Sequence, residues 1–149
     1  MNRPREEQFA DLMRRIARAP LYARKLAGMS PESFGVSRLS ELPLTRKEEL
    51  RGAGPLGVLA VGKRDIARYH ESTGTTGVPA ASWFTREDID TGGRQVLECG
   101  AGLGPDDLVL VRFPYALALP AFLVERAAEM TGAGVVPASS RTTVTPYPK

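Results

Sequence analysis

Apolar residues between Glu6 and Arg18 recur at the spacing of an α-helix. Arg14 and Arg15 occupy other faces of this segment and Pro20 follows it, a pattern that predicts an amphipathic packing helix. Its basic surface is also compatible with a membrane or a partner protein, although the short apolar face favours packing within the chain. The apolar positions are Phe9, Leu12, Met13 and Ile16.

More helical segments follow before residue 53. The segment from Leu21 to Ala27 predicts a short helix that Gly28 ends, and Ser30-Pro31-Glu32 predicts the capped start of another. Thr45 and Glu48 predict a capping box, in which the Thr45 hydroxyl accepts from the Glu48 N–H and the Glu48 carboxylate reaches back. We therefore expect a helical segment at the start of the chain.

From residue 53 onward the pattern alternates between strands and helices. An apolar run over 55–61 predicts an extended or loosely turned connection, and the run over 108–111 is typical of a strand buried on both faces. The glycine pair Gly92-Gly93 indicates close packing or a bend. Strands are predicted over 66–70, 80–84, 108–111 and 135–137, with helices over 86–102, capped by Thr85, and over 120–130.

The order of these elements predicts an α/β fold. Residues 1–52 form the helical lead-in, and residues 53–149 form a mostly parallel β-sheet with flanking helices.

Composition excludes several classes of function. The 149 residues suit one domain, and 42% hydrophobic and 25% charged residues are typical of a soluble globular protein. A net charge of +3 without a dense basic tract gives no nucleic-acid footprint but suits an anionic ligand. Cys99 is the single cysteine, so neither a disulfide framework nor a cysteine metal site is expected. No long apolar stretch or signal peptide is found, and we expect a cytoplasmic protein without membrane contact.

Small polar residues are concentrated between Glu71 and Val78. Glycines let backbone N–H groups turn toward an anion, and hydroxyl groups donate further hydrogen bonds, which predicts a phosphate-binding loop. The spacing of the glycines is not that of a Walker A loop, and a polar surface turn is the alternative interpretation. The residues of this loop are Ser72, Thr73, Gly74, Thr75, Thr76 and Gly77.

The single histidine, His70, lies two residues before this loop. A lone histidine suggests catalysis. No Ser/Asp or Cys partner pattern surrounds it, however, so a hydrogen-bonding role in bracing the loop is favoured.

The residues around the loop resemble a known family. Arg68-Tyr69-His70-Glu71-Ser72-Thr73-Gly74-Thr75-Thr76-Gly77-Val78-Pro79, followed by Phe84-Thr85-Arg86-Glu87-Asp88, resembles the phosphate loop of adenylate-forming enzymes as phenylacetate-CoA ligases carry it. That family reads close to Arg-x-His-x-Ser-Ser-Gly-Thr-Thr-Gly-Lys-Pro, then Tyr-Thr-x-x-Asp. A second similar stretch is Leu42-Pro43-Leu44-Thr45-Arg46-Lys47-Glu48-Glu49-Leu50-Arg51, close to the family's Leu-Pro-Phe-Thr-x-Lys-x-Asp-Leu-Arg.

The resemblance implies activation of a carboxylic acid. The acid attacks the α-phosphorus of ATP, giving an acyl-adenylate and pyrophosphate, and the thiol of CoA or of a carrier protein then accepts the acyl group. Residues 72–77 would hold the β- and γ-phosphates, with Mg²⁺ neutralising the leaving pyrophosphate. Val78 departs from the pattern, since a lysine is common there. Lys47 is implied near the substrate side, where it contacts a carboxylate or phosphate; a solvated helix lysine is the alternative.

The resemblance also implies a substrate pocket for an aryl acid. Phe113 and Tyr115 match aromatic residues of a family stretch close to Tyr-Gly-Tyr-Gly-Leu-Phe, and Ala118 stands where that stretch has a bulky phenylalanine. A wider pocket than phenylacetate requires is therefore expected. Ordinary core aromatics are the alternative.

The resemblance covers only the front third of such a ligase. The chain is thus expected to be a fragment of the N-terminal domain of an adenylate-forming enzyme, without a catalytic residue or metal ligand of its own and inactive alone. Its exposed sheet edges favour a homodimer or other association. The alternatives are a non-catalytic nucleotide-binding or assembly module, or one half of a split ligase.

Overall fold

The computed structural model describes residues 4–30, 33–72 and 77–139. These residues group into two compact units. One unit contains the described residues up to 66 together with 77–83, and the other contains 67–72 and 84–139. The chain therefore crosses between the units three times.

The first unit is mostly helical. The first two predicted helices are confirmed, and Met13 of the first is almost completely buried. Of the helix start predicted at 30–32, residues 31 and 32 lie outside the described residues. The elements are α1 (Arg5–Ile16), α2 (Pro20–Lys25), a 3₁₀ segment (Val36–Glu41), α3 (Lys47–Gly57) and a 3₁₀ turn (Lys63–Asp65).

The start of α3 differs by one residue from the prediction. The predicted capping box of Thr45 and Glu48 is wrong, because Arg46 is the last residue before the helix and its N–H donates to Glu49 Oε2 at 2.7 Å. Lys25 of α2 also donates to the Glu49 carboxylate. The Arg46 N–H, and then Lys25, hold the pKa of Glu49 below its usual range. This contact between helices favours the position of Glu49 in the first turn.

The end of α3 contains a break, and helix covers the first part of the extended or loosely turned connection that was predicted over 55–61. Gly54 has φ 67° and ψ 177°, and the chain returns to helix as far as Gly57. A residue before proline avoids the helical region, and glycine adopts positive φ without steric cost, so Gly54-Pro55 explains the break. Trp83 Nε1 donates to the Pro55 carbonyl at 2.6 Å, which fixes the segment after it.

Two separate strand pairs replace the single sheet of the prediction. The pair β1 (Ile66–Glu71) and β2 (Ala81–Thr85) is antiparallel, an exception to the mostly parallel pairing that was predicted. Residues 72–80 are too few for the crossover that parallel strands need. The strands β3 (Leu108–Val111) and β4 (Gly134–Pro137) are parallel, as predicted, with Leu108 opposite Gly134.

The predicted cap at Thr85 is confirmed at the start of α4 (Arg86–Val96). Thr85 Oγ1 accepts from the Asp88 N–H at 3.2 Å, and Asp88 Oδ2 accepts from the Thr85 N–H at 2.8 Å. The helix ends earlier than predicted, and a π-helical segment (Leu97–Ala101) with an exposed Cys99 follows.

Helix α5 (Pro120–Thr131) packs closely against α4. A Cβ added to Gly92 would lie 2.6 Å from Leu123 Cδ2, and one added to Gly93 would lie 2.9 Å from Arg126 Cγ. The glycine pair therefore marks close packing, one of its two predicted meanings. The buried core of this unit includes Ile89, Val111, Ala121, Ala127 and Ala128.

Strand β3 is not buried on both faces as predicted. Val111 is buried, but Leu108 and Leu110 are 58% and 46% exposed. Helix α5 packs against β3, and the described residues do not bury these two leucines on the remaining surface of the strand. An apolar face of the strand is consequently open to solvent.

The longest helices, α1 and α5, have 12 residues each. Within the described ranges, no helix combines the length and apolar character needed to cross a bilayer.

Candidate functional site

The predicted phosphate loop joins β1 to β2. Its first residue, Ser72, follows β1 directly and is half-buried. The middle of the loop, Thr73, Gly74, Thr75 and Thr76, lies outside the described residues. Gly77 has φ 115°, a conformation in which any residue with a Cβ is strained. The placement of glycine at the end of the loop is thus a requirement of the backbone.

Glu71, the last residue of β1, is held on two sides. Its N–H donates to the carbonyl of Leu117 at 3.0 Å. Its carboxylate accepts from the Tyr69 hydroxyl at 2.6 Å, and this hydrogen bond raises the pKa of Tyr69. The strand end that leads into Ser72 is therefore fixed by its own unit.

His70 is buried, with 4% of its surface exposed. Its Nδ1 lies 3.1 Å from the Leu117 carbonyl oxygen, and its ring packs against Phe84 and Phe122 with centroid distances of 5.5 and 5.2 Å. Burial lowers the pKa of His70, so the ring is neutral near pH 7. The predicted hydrogen-bonding role is thus visible, but the partner lies at Leu117 rather than in the loop.

Leu117 is the residue that sequence reasoning missed. Its φ of 53° lies in the left-handed region, which is rare for a residue with a branched side chain. A leucine gives no sequence signal for this conformation, unlike glycine or asparagine. The sequence indicated a role for Leu117 only through its position between Tyr115 and Ala118, two predicted pocket residues.

Tyr115 contacts the same ring as His70. Its ring meets Phe122 edge-on, with centroids 5.2 Å apart, and its hydroxyl is buried without a hydrogen-bond partner among the residues that the structure describes. Burial, and then the charge of Glu125, raise the pKa of Tyr115. Ala118 is half-buried. Two of the predicted pocket residues therefore lie in the segment held by β1.

Phe113 belongs to a different cavity. Its side chain is exposed and lines an apolar cavity of about 260 Å³, whose wall does not include Tyr115 or Ala118. The lining residues are Leu110, Val111, Arg112, Phe113 and Val124.

Lys47 is the first residue of α3 in the other unit, and it is exposed. The charged contact in this region is made by Lys25, which donates to Glu49 and to the Leu44 carbonyl.

A polar cleft of about 380 Å³ lies next to Phe122. Arg126 pairs with Asp90 at 2.7 Å and with Glu129 at 3.0 Å, and the Arg68 guanidinium lies 4.0 Å from the Phe122 ring centroid. Because its three arginines face three carboxylates, the cleft has no net charge that would select an anion. Its lining is Ala67, Arg68, Arg86, Ile89, Asp90, Phe122, Glu125, Arg126 and Glu129.

Over the described part of the chain, no three His, Cys, Asp or Glu side chains cluster so that they could hold a metal ion.

The chain is similar to characterised ligases. It is 36% identical over 125 residues to the phenylacetate-coenzyme A ligase of Escherichia coli (strain K12), a match that covers 80% of this chain and 29% of that protein. It is 35% identical over 127 residues to the phenylacetate-coenzyme A ligase of Thermus thermophilus, a match that covers 82% and 28%. A contiguous match of this extent must include residues 72–77 and 113–118.

Solved structures share the fold. An open conformation of 2-hydroxyisobutyryl-CoA ligase in complex with 2-HIB-AMP and CoA superposes with a TM-score of 0.74 at 22% identity, covering 95% of this chain and 32% of that one. The same ligase in its postadenylation state with 2-HIB-AMP gives 0.72 at 23% identity, covering 91% and 31%. The fold is therefore that of part of an adenylate-forming ligase, as predicted.

No family model matches the chain. The chain spans less than a third of the length of the relatives it matches. Because more than a third of the aligned residues are identical over four-fifths of this chain, it belongs to the phenylacetate-CoA ligase-like group of the adenylate-forming enzymes.

Proposed function

We propose that this chain is the N-terminal part of a ligase that activates an aryl carboxylic acid with ATP and transfers it to CoA. The carboxylate oxygen attacks the α-phosphorus, pyrophosphate leaves, and the thiol of CoA, or of a carrier protein, then displaces AMP. The observation that carries this proposal is the match to phenylacetate-CoA ligases across the segments 72–77 and 113–118.

In this proposal residues 72–77 hold the β- and γ-phosphates of ATP. Ser72 follows a strand end that two hydrogen bonds fix, and Gly77 has the positive φ that a tight anion-binding turn uses. Mg²⁺, when bound with ATP, supplies further neutralisation of phosphate charge.

The loop is tested by ATP binding to the 149-residue chain, measured by titration calorimetry with Mg²⁺ present. Thr75→Val removes the hydroxyl at nearly constant volume, and Thr75→Ser is the matched control that keeps it. We expect Thr75→Val to weaken binding by about fivefold or more, the effect of one lost hydrogen bond, and Thr75→Ser to change it little. Equal affinity of all three proteins, or no binding of ATP, would contradict the phosphate role.

The acid pocket is proposed to contain Tyr115 and Ala118. Phe113 lines a separate cavity and Lys47 belongs to the other unit, so their predicted substrate contacts stay predictions from the sequence. Support comes from the half-buried Tyr115 ring against Phe122 and the small side chain at 118. A flat aryl group can stack against such rings, and a methyl group in place of a benzyl group leaves room for a bicyclic acid.

The width of the pocket is tested with Ala118→Phe. The relevant measurement is acid-dependent ATP–pyrophosphate exchange by the ligase that contains this chain, with phenylacetate and 2-naphthylacetate compared. We expect the substitution to shift the kcat/KM ratio toward phenylacetate by about tenfold, since an added ring overfills a packed site. Ala118→Ser is the control for a small polar change. An unchanged ratio would place residue 118 outside the pocket.

The chain alone is proposed not to complete the reaction. It spans less than a third of the length of its relatives. The second candidate is a nucleotide-binding module or one half of a split ligase. Sequencing the gene past Lys149 separates these. An open frame that continues with ligase sequence supports the whole enzyme, and a stop codon supports the second candidate.

A further inference from the structure

Two donors from consecutive residues of β1 converge on one carbonyl. The backbone N–H of Glu71 and the ring Nδ1 of His70 lie 3.0 and 3.1 Å from the Leu117 oxygen. A carbonyl oxygen has two lone pairs, so both hydrogen bonds can form at once. The strand end before the loop is thereby attached to the segment 113–118.

The attachment lies at a strained residue. Leu117 has φ 53°, and its side chain is 48% exposed, so burial of that side chain contributes little to holding the conformation. A left-handed non-glycine residue persists only where its surroundings enforce it. The contacts that can enforce it are the two hydrogen bonds to its carbonyl oxygen and the 2.6 Å hydrogen bond from the Ala118 N–H to the Ala116 carbonyl, which closes a three-residue turn around Leu117.

The hydrogen bond to the Leu117 carbonyl determines which nitrogen of the His70 imidazole carries a proton. Because a carbonyl only accepts, Nδ1 must carry a proton in this hydrogen bond, and in the neutral ring Nε2 is then the unprotonated nitrogen. Nε2 is buried without a hydrogen-bond partner among the described residues, and the ring lies between Phe84 and Phe122. An apolar wall at Nε2 disfavours a second proton there, because a charged ring would lack a partner for it.

We propose that His70 is a positioning residue: its neutral ring, protonated at Nδ1, holds Leu117 in the left-handed conformation and so sets the acid-pocket segment against the strand that leads into the phosphate loop. The role of that segment in binding the acid rests on the proposed function. The hydrogen bond and its tautomer do not.

The first test is independent of any activity. His70 is the only histidine, so nitrogen-15 NMR of the whole chain shows a single imidazole. We expect the tautomer protonated at Nδ1, neutral at pH 7, with the Nδ1 proton protected from exchange with solvent. A ring protonated at Nε2, or one that titrates like a free imidazole, would overturn the proposal.

The second test uses a matched pair of substitutions. His70→Asn keeps an N–H donor near the position of Nδ1, whereas His70→Leu has a similar volume and no donor. In acid-dependent exchange by the ligase that contains this chain, we expect His70→Leu to change the kcat/KM ratio of two aryl acids by about fivefold or more. His70→Asn should keep the ratio within about twofold, and the KM for ATP should change in neither variant.

A third variant separates positioning from general loss of structure. Glycine adopts positive φ without strain, so in a Leu117→Gly background the effect of His70→Leu on acid selectivity should fall at least by half. An undiminished effect of His70→Leu in that background would overturn the proposal.

The proposed ligase function and the positioning role of His70 are contradicted by different results. A wild-type enzyme without acid-dependent exchange would remove the proposed function, and the NMR measurement would still decide the tautomer and the hydrogen bond. If the wild-type enzyme is active but His70→Leu and His70→Asn have equal selectivity between the two acids, only the positioning role of His70 is contradicted.

Discussion

At the scale of single residues, Val78 has the clearest consequence for the proposed binding of ATP. It is 67% exposed, so a longer side chain fits there, and the family pattern that the sequence resembles implies a lysine at this position. A positive charge near a triphosphate should increase ATP affinity about three- to tenfold at low salt. Titration calorimetry of Val78→Lys measures this, with Val78→Gln as the neutral control.

The gain from Val78→Lys should shrink as salt is raised, because surface charges are screened. An equal gain in Val78→Gln, or a gain insensitive to salt, would mean that charge is not the cause.

His70 gives a pH dependence of stability. Burial lowers the pKa of His70, the hydrogen bond to Leu117 opposes this, and the charge of Arg68 adds a smaller lowering. The rings of Phe84 and Phe122 face it from β2 and α5. The unfolded chain therefore binds the proton first as pH falls. The free energy of unfolding should be highest above about pH 6.5 and decrease below it, by at most about 1.4 kcal/mol per pH unit.

Urea unfolding at pH 7.5, 6.5 and 5.5 measures this dependence. His70→Asn has no titrating ring, and its unfolding free energy should vary less over the same range. Equal slopes for the two proteins would count against a buried neutral histidine.

The contacts of His70 also show the limit of sequence reasoning about a site. Its hydrogen-bonding role follows from the absence of a catalytic partner pattern nearby, which is local information. Its partner, Leu117, is far away in sequence, and the rings of Phe84 and Phe122 come from two other elements. Such contacts depend on how the elements pack, which spacing alone does not specify.

At the scale of elements, the contact between α4 and α5 depends on Gly93. A Cβ there would meet Arg126 Cγ at 2.9 Å and Arg126 Cβ at 3.3 Å, atoms close to the backbone of α5. We expect Gly93→Ala to destabilise the protein by about 1–2 kcal/mol, although alanine favours helix by roughly 1 kcal/mol. Gly52→Ala in α3 is the control, because its Cβ would meet open space.

The two substitutions should shift the midpoint of urea unfolding in opposite directions, with Gly52→Ala more stable by about 0.5–1 kcal/mol. Stabilisation by Gly93→Ala would show that α5 moves aside easily.

Elements were predicted well where local chemistry determines them. The cap of α4 needs only Thr85 and Asp88, three residues apart, and both hydrogen bonds form. The start of α3 was misplaced because Lys25 from another helix binds Glu49. The antiparallel pairing of β1 and β2 was not predicted, because the strand–helix alternation behind the parallel prediction begins only at 80–84. The short connection between these two strands cannot make a parallel crossover.

At the scale of the whole molecule, the open face of β3 favours self-association. Replacing both Leu108 and Leu110 by threonine keeps strand propensity and removes apolar surface. We expect wild-type chain to associate at about 100 μM and the double variant to do so roughly tenfold more weakly. Sedimentation equilibrium measures this.

The matched control replaces Leu39 and Leu56, which are also exposed but lie in the other unit. Equal weakening by both double variants would mean that general hydrophobicity, rather than this strand, drives association. A monomeric wild type would contradict the expected homodimer.

The burial of β3 was the prediction least accessible from sequence. The run Leu-Val-Leu-Val fits a strand covered on both faces, yet a pattern of residues cannot state which layers cover it. Only α5 packs on β3 strongly among the described helices, and Leu108 and Leu110 stay exposed.

The exposed thiol of Cys99 has a practical consequence. As the single cysteine, it offers one attachment point for a fluorophore or spin label without any change to the sequence. It also requires a reductant in every sedimentation sample, because two chains linked covalently through position 99 would have the mass of a dimer.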